Sequence, residues 1–282
     1  MILVTGATGT VGREVLRQIP SDVRVRAMSR EPDRLAAVLG TAEAVRGDYD
    51  DPRSVAKALT GVESVFLVTS RVGRDDDGRF LRAARAAGVR HVVKVSAAAV
   101  ADSRADDLIT RWQRVNEDLL RASGMEWTLL RPRSFMSNTL SWAASIRADG
   151  VVRALYGGSA NSCIDPRDIA EVGVRALTEQ GHTGRVYPLT GPEALSAAEQ
   201  TAHLSDLLGR PLYFEDLEPA QARTLLGARH PEPLVEALMR SAERQREGAK
   251  TRVEKTVQEV CGRPARSYWE WARDHLTAFV PA

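Results

Sequence analysis

The chain is predicted to fold as an α/β protein, a doubly wound parallel sheet followed by a smaller, mostly helical C-terminal part. Short β-branched runs alternate with amphipathic segments through the first two thirds of the sequence, the rhythm of successive strand–helix–strand units on a parallel sheet. A glycine-rich turn, Gly6-Ala7-Thr8-Gly9-Thr10-Val11-Gly12, joins the first apolar run to the first amphipathic one. Beyond Pro192 the pattern becomes almost entirely helical.

Ile2 to Thr5 reads as the first strand and Val11 to Gln18 as the first helix. Val23 to Met28 supplies a second strand, followed by an expected helix from Asp33 to Leu39 and a short third strand from Ala44 to Gly47. Asp50-Asp51-Pro52 combines a capping acid with proline early in a helix, a sound helix start. Ser64 to Val68 and Val92 to Ser96 are the fourth and fifth strands; Arg79 to Ala87 between them is helical and closed by Gly88. A long helix from Leu108 to Ala122 leads through Ser123-Gly124 into a sixth strand, Trp127 to Leu130. After Arg131-Pro132 come helical stretches, a turn at Gly157-Gly158 and a helix–strand pair, Ile169 to Leu177 and Val186 to Leu189. One short apolar strand, Leu212 to Phe214, interrupts the helical remainder. Residues 1–192 form the expected sheet-based body, with 133–160 facing substrate, and 193–282 a covering part that does not fold independently.

The 282 residues suffice for one sizeable core but not for two large independent domains. A formal net charge of +2 gives no global reason to expect nucleic acid or a membrane surface as partner. Cys163 and Cys261 are far apart, and His91, His182, His203, His230 and His275 are scattered, so no metal site is expected. The first strand begins at Met1 and no apolar run reaches membrane-spanning length, which points to a cytoplasmic protein, a monomer or homodimer. Four charged features have structural readings: Asp165-Pro166-Arg167-Asp168 as a helix start, Arg74-Asp75-Asp76-Asp77-Gly78 as an exposed loop, Lys94 as an outward residue of the fifth strand, and Arg240 to Lys255 as a solvated face where Glu243, Glu247 and Glu254 interleave.

The glycine turn carries the strongest functional signal, because it sits between a strand and a helix. Gly6 permits the tight turn, Gly9 lets the backbone approach a pyrophosphate, and Gly12 lets the helix press on the sheet. The helix start at Thr10 and Val11, with Thr8, then offers donors and a positive dipole end to phosphate. This is the turn of a Rossmann-type dinucleotide site. At the end of the second strand, where an NAD site usually carries an acid, stand Ser29 and Arg30, groups suited to a 2′-phosphate, so NADP(H) is expected.

TGATGTVG at the start, MSREP, GDYDDP, GVRHVVKVSA, LRASGMEWTLLRPRSFMSN, IDPRDIAEVGVRAL and CGRPARSYWEWARDHL, in this order, resemble the NmrA-like group of atypical short-chain dehydrogenases/reductases. The resemblance implies that Asp48 and Tyr49 lie near the adenine, Thr69 and Ser70 beside a cofactor ribose, and Pro132 to Phe135, with Ser134 between, around the nicotinamide. Orthodox relatives pair a tyrosine acid with lysine four residues later. Here Tyr49, Tyr156, Tyr187, Tyr213 and Tyr268 are followed at that spacing by Arg53, Ala160, Gly191, Leu217 and Ala272. Ser96 matches the family's serine, while Gln113 and Glu117 stand where the NmrA-like group often has histidine and glutamate.

The expected chemistry is hydride transfer to a carbonyl of a bulky, aromatic or polyketide-like small molecule, a ketone or quinone, with Ser96 and Gln113 stabilising the charge that develops on oxygen. Quinones and phenol-bearing polycyclic ketones suit a site that lacks a tyrosine acid, because their reduced oxygens are easily protonated. A non-catalytic NADP(H)-sensing regulator with a protein partner is the competing reading, and an epimerase the third.

Overall fold

The computed structural model describes residues 1–36 and 40–280. In chain order the elements are β1 Ile2–Val4, α1 Thr10–Gln18, β2 Val25–Ser29, β3 Glu43–Arg46, α2 Pro52–Ala58, β4 Ser64–Leu67, α3 Asp76–Ala86, β5 His91–Val95, α4 Leu108–Arg121 and β6 Glu126–Pro132. They continue with α5 Ala143–Ala148, β7 Val151–Ala154, α6 Pro166–Thr178, β8 Arg185–Leu189, α7 Ala197–Leu208, β9 Tyr213–Asp216, α8 Pro219–Gly227, α9 Glu232–Arg246, α10 Thr256–Cys261 and α11 Tyr268–Asp274.

Seven strands pair in parallel in the order β3-β2-β1-β4-β5-β6-β8. Alternation along each strand sends side chains to two covered faces. Ile2, Val4, Phe66, Val93 and Leu130 pack under α1, α6 and α10 through Val11, Val15, Ile169, Val172 and Val257. Leu3, Val65, Leu67, Val92 and Leu129 face α2, α3 and α4 through Val55, Ala58, Phe80, Ala84 and Leu120. The strand order reverses between β1 and β4, which opens a crevice at the C-terminal edge of the sheet.

A third core joins Met136, Ala143, Ile146 and Val152 to Leu204, Tyr268, Trp271 and Phe279, and a two-stranded parallel sheet of β7 and β9 closes it. The segment after Pro132 and the C-terminal helices thus share one apolar centre. Among the described residues no helix is long and apolar enough to cross a membrane.

Most expected elements are present, with ends moved by one to three residues. The expected helix from Asp33 to Leu39 is a 3₁₀ turn at Pro32–Leu35, and Ala37 to Leu39 lie outside the described residues. Asp165 caps α6 by accepting from Arg167 N, with Pro166 at the first position, as expected.

Two expectations about charge are corrected. Asp76 and Asp77 are not an exposed loop: α3 begins at Asp76, and both side chains are buried. Lys94 does not turn outward; it is wholly buried, 2.5 Å from Asp77, whose other oxygen accepts from Thr69 Oγ1 at 2.6 Å. In a sheet covered on both faces, alternation offers no solvent side. A lysine at the centre of β5 is tolerated there because the first turn of α3 supplies its counter-charge.

Lys94→Ala leaves Asp77 charged and unpaired in the core and should cost about 3–5 kcal/mol in urea unfolding, whereas a Lys94→Met, Asp77→Leu double variant should recover most of that loss. Equal midpoints for wild type and Lys94→Ala would remove this pair from the interactions that hold α3 to the sheet.

Candidate active site

The glycine turn is built on close approach. Gly6 sits at φ +58°, Gly9 N donates to Gly6 O at 2.8 Å, and α1 starts directly behind them. A Cβ on Gly12 would fall 2.2 Å from Gly6 O, so only glycine lets the helix start so close to the turn. Gly9 and Thr10 are exposed at the start of α1. Val11 and Gly12 are buried, and Val11 packs into the core, so it has only backbone to offer a ligand.

Beside this turn lies a crevice of about 200 Å³ lined by Gly6, Thr8, Ser29, Arg30, Asp48, Tyr49 and Ser70, together with Arg34, Arg71 and Asp76. Seven residues expected from sequence therefore meet at one place. Tyr49 donates to Val68 O at 3.1 Å and packs edge-on against Phe80; burial pushes its phenol well above the usual range. Ser29 Oγ donates to Glu31 O at 3.1 Å and so caps the turn after β2. Glu31, one residue beyond Arg30, forms an ion pair with Arg34 at 2.8 Å. Arg30 is exposed and makes no ion pair among the described residues. The crevice joins the glycine turn to an arginine without an ion-pair partner among the described residues, a lining that fits a dinucleotide. Thr69 departs from expectation: its hydroxyl turns away to Asp77 and it does not line the crevice.

Across the switch point, at the ends of β5 and β6, is a cavity of about 340 Å³, large enough for a small ligand. Ser96, Gln113, Pro132, Ser134 and Phe135 line it, so five more of the expected residues also converge. Residues 134–136 are pinned from outside, with Ile164 N donating to Ser134 O and Met136 N donating to Ile164 O, both at 2.9 Å.

Beneath this cleft Glu117 of α4 is fully buried. It accepts from Ser96 Oγ at 2.6 Å, from Arg131 Nε and Nη2 at 2.9 and 2.6 Å, and from Arg121 at 3.0 Å. Burial alone would raise its pKa, but the bonds from Arg131 and Ser96 and the two guanidinium charges hold it below the usual carboxylate range. Ser96 is therefore not the free donor expected from sequence, since its proton is committed to Glu117. Gln113, one turn earlier, has its Oε1 buried with no partner among the described residues; that oxygen can only accept, so any donation to a ligand oxygen would have to come from its Nε2.

Sequence reasoning missed the other wall of the cleft. Ser241, Arg244 and Lys250 line it with Arg133, Asp107 and Asn138, so the expected solvated face between Arg240 and Lys255 is in part a site surface. Arg244 reaches Asp107, the N-cap of α4, at 2.7 Å. Gly248 at φ +82° ends the α9 region, and the chain returns so that Lys250 O accepts from Ser162 N at 3.0 Å. Lys250 Nζ then points to Ser241 Oγ at 2.9 Å and Gln245 Oε1 at 3.4 Å. Burial, reinforced by Arg244 and Arg133, lowers its pKa to about 8. Helical spacing of charges reports neighbours along one helix and carries no signal of this return.

A sequence model of an NAD(P)H-binding family matches residues 6–180. The (4-alkanoyl-5-oxo-2,5-dihydrofuran-3-yl)methyl phosphate reductase of Streptomyces griseus is 56% identical over 282 residues, covering 100% of both chains. The crystal structure of an NADPH-dependent quinone oxidoreductase from Escherichia coli, complexed with NADPH, superposes with a TM-score of 0.84 at 27% identity, over 98% of this chain and 100% of that one. NmrA, described as a negative transcriptional regulator and solved with NADP, shares the fold (TM-score 0.77, 16% identity, 98% of this chain and 95% of that one), as the sequence resemblance implied. With its glycine turn, crevice and cleft arranged on this sheet, the chain belongs to the NAD(P)H-binding family.

Proposed function

We propose that the protein is an NADPH-dependent reductase of electron-poor, conjugated carbonyl compounds, either quinones or acylated unsaturated lactones like that named for the Streptomyces griseus relative. The observation that carries this reading is the cleft's inventory: a cavity beside the cofactor crevice holds Gln113, Ser96 and cations, and the tyrosine acid of orthodox relatives is absent. NADPH supplies the hydride. The carbon that receives it is conjugated to a carbonyl, so the displaced π pair settles on oxygen. In a quinone this gives a ring enolate, which becomes a hydroquinone anion once the sp3 carbon passes a proton to oxygen through water, and in a 2-acyl lactone an enolate shared by two oxygens. Both are far weaker bases than an alkoxide, so water can deliver the balancing proton. The chain's own task is to hold the acceptor against Phe135 and Pro132 and to stabilise the oxygen, by the Gln113 amide and by the cationic wall of the cleft. Lys250 titrates near neutrality, yet its ammonium is bonded to Ser241 and Gln245 rather than to Ser96 or Gln113.

NADPH is favoured over NADH because Arg30 is unpaired beside Ser29 while Glu31, the nearby carboxylate, is held by Arg34. The NADP(H)-sensing regulator remains the reading to test against, and turnover decides between them.

Purified protein should oxidise NADPH in the presence of 2-methyl-1,4-naphthoquinone and should prefer NADPH to NADH. Tight NADPH binding with no turnover on quinones or acyl lactones would replace the enzyme by the sensor. Arg30→Ala should raise the KM for NADPH roughly 10- to 100-fold, the size of a lost charge-assisted contact, and leave that for NADH nearly unchanged. Equal losses would move discrimination elsewhere, with Arg34 the next residue to change. Gln113→Leu should lower kcat by roughly a hundredfold at unaltered NADPH affinity; an unchanged kcat would strip Gln113 of its role.

A further inference from the structure

We propose that Arg133, Arg244 and Lys250 form an anion site that grips a phosphate monoester carried by the substrate, at the end of the cleft away from the reacting carbon. The inference rests on the reductase reading and adds to it the feature by which the substrate is selected.

The charge balance of the wall is the first argument. Arg133 and Lys250 have no carboxylate within ion-pair distance among the described residues, and Arg133 Nε is buried without a hydrogen-bond partner. Arg244 alone is paired, and its partner Asp107 also accepts from the backbone N–H and the hydroxyl of Thr110, at 2.9 and 2.8 Å. Other acids near Arg133 are committed: Glu254 is paired with Arg252 at 2.7 Å and Asp102 lies 3.5 Å from Arg104. Three cations and one carboxylate thus line a partly enclosed cavity. A phosphate monoester, with a charge of roughly −1.5 to −2 at neutral pH, answers that excess.

The second argument is cost. Arg133 and Lys250 are both half-buried in the cavity wall with no carboxylate partner, and this partial burial depresses both below their usual values. Such an arrangement is an expense to the empty fold and is recovered when an anion binds.

Position is the third. Arg133 follows β6, where its backbone N donates to Leu189 O at 2.8 Å; Arg244 is pinned by Asp107; Lys250 is fixed at its backbone by Ser162 and at its ammonium by Ser241. Three separate chain segments therefore aim fixed donors into the cavity that also holds Gln113 and Phe135. One ligand can touch both the reducing end and this basic wall. The Streptomyces griseus relative is named for a methyl phosphate on an unsaturated lactone, a molecule with both features.

The experiment compares an acyl-butenolide methyl phosphate with its hydroxymethyl counterpart in steady-state NADPH oxidation. Binding of phenyl phosphate to the NADP-loaded protein is followed in parallel by thermal shift. The phosphate ester should be favoured by at least about a hundredfold in kcat/KM, chiefly through KM. Lys250→Gln and Arg133→Gln should each shrink that ratio roughly tenfold and abolish the phenyl phosphate shift, while Lys255→Gln, an exposed residue outside the cavity, leaves both unaltered. Phosphate binding without turnover of any acceptor would sustain the anion site and overturn the reductase. Turnover that ignores the phosphate, or variants that slow ester and alcohol alike, would overturn the anion site and leave the reductase standing.

Discussion

Glu117 ties the helix α4 to the ends of β5 and β6, whose register to one another the sheet already sets. Its buried carboxylate takes a two-pronged bond from Arg131 on β6, one from Ser96 just after β5, and one from Arg121 on its own helix. Each bond to a charged group is worth more than a neutral one, and leaving such a carboxylate unpaired in the interior would cost several kcal/mol. The rotation of α4 about its axis is therefore set by chemistry as well as by packing. Gln113 lies one turn from Glu117 and inherits its placement over the cleft. Asp107, at the head of the same helix, inherits a position from which it captures Arg244. Through that contact α9 and the return strand to Lys250 are brought over the ends of β5 and β6.

The same constraint arranges the electrostatics. A formal net charge of +2 says little, because cations are gathered locally in two separate cavities. Arg30 and Arg34 stand at the β2 end, with Glu31 neutralising one of them. Arg133, Arg244 and Lys250 stand at the β6 end, with Asp107 answering one. The uncharged groups Gln113, Pro132 and Phe135 share the second cavity with its cations. Local imbalance of this kind survives in a chain that is nearly neutral overall.

What was legible in the sequence follows from what is local. The glycine turn declares itself because three residues in a fixed spacing must each lack a Cβ or reach positive φ, and the Cβ that Gly12 cannot carry shows the reason. Strand and helix alternation is equally local, and so the parallel sheet was readable, with Gly6, Thr8, Ser29 and Arg30 at its strand ends, whereas Asp48, Tyr49 and Ser70 came from the family resemblance. Lys94 was misread because alternation gives a side, not what covers it; that α3 would present Asp77 there is a long-range fact. Arg244 and Lys250 were misread for a related cause. Interleaved Glu243 and Glu247 mimic a solvated helix, and nothing adjacent announces that Ser162 will pull the chain back over the site. Thr69 followed the right strand, but a buried acid claimed its hydroxyl.

If Gln113 and Glu117 stand where orthodox relatives carry tyrosine and lysine, as the family resemblance implies, more than the proton donor changes. In the orthodox arrangement the enzyme carries the acid, so the substrate can be any ketone whose alkoxide needs one. Here Glu117 is fully buried and held ionised by two arginines, and it occupies the proton of Ser96 as well. On the proposed reading, the burden passes to the substrate, whose conjugation must make the product anion weakly basic. Selectivity then has to come from somewhere other than acid chemistry. A cleft that spends half-buried cations on one end of the ligand provides it, by choosing among many electron-poor carbonyl compounds the few that bring a phosphate with them.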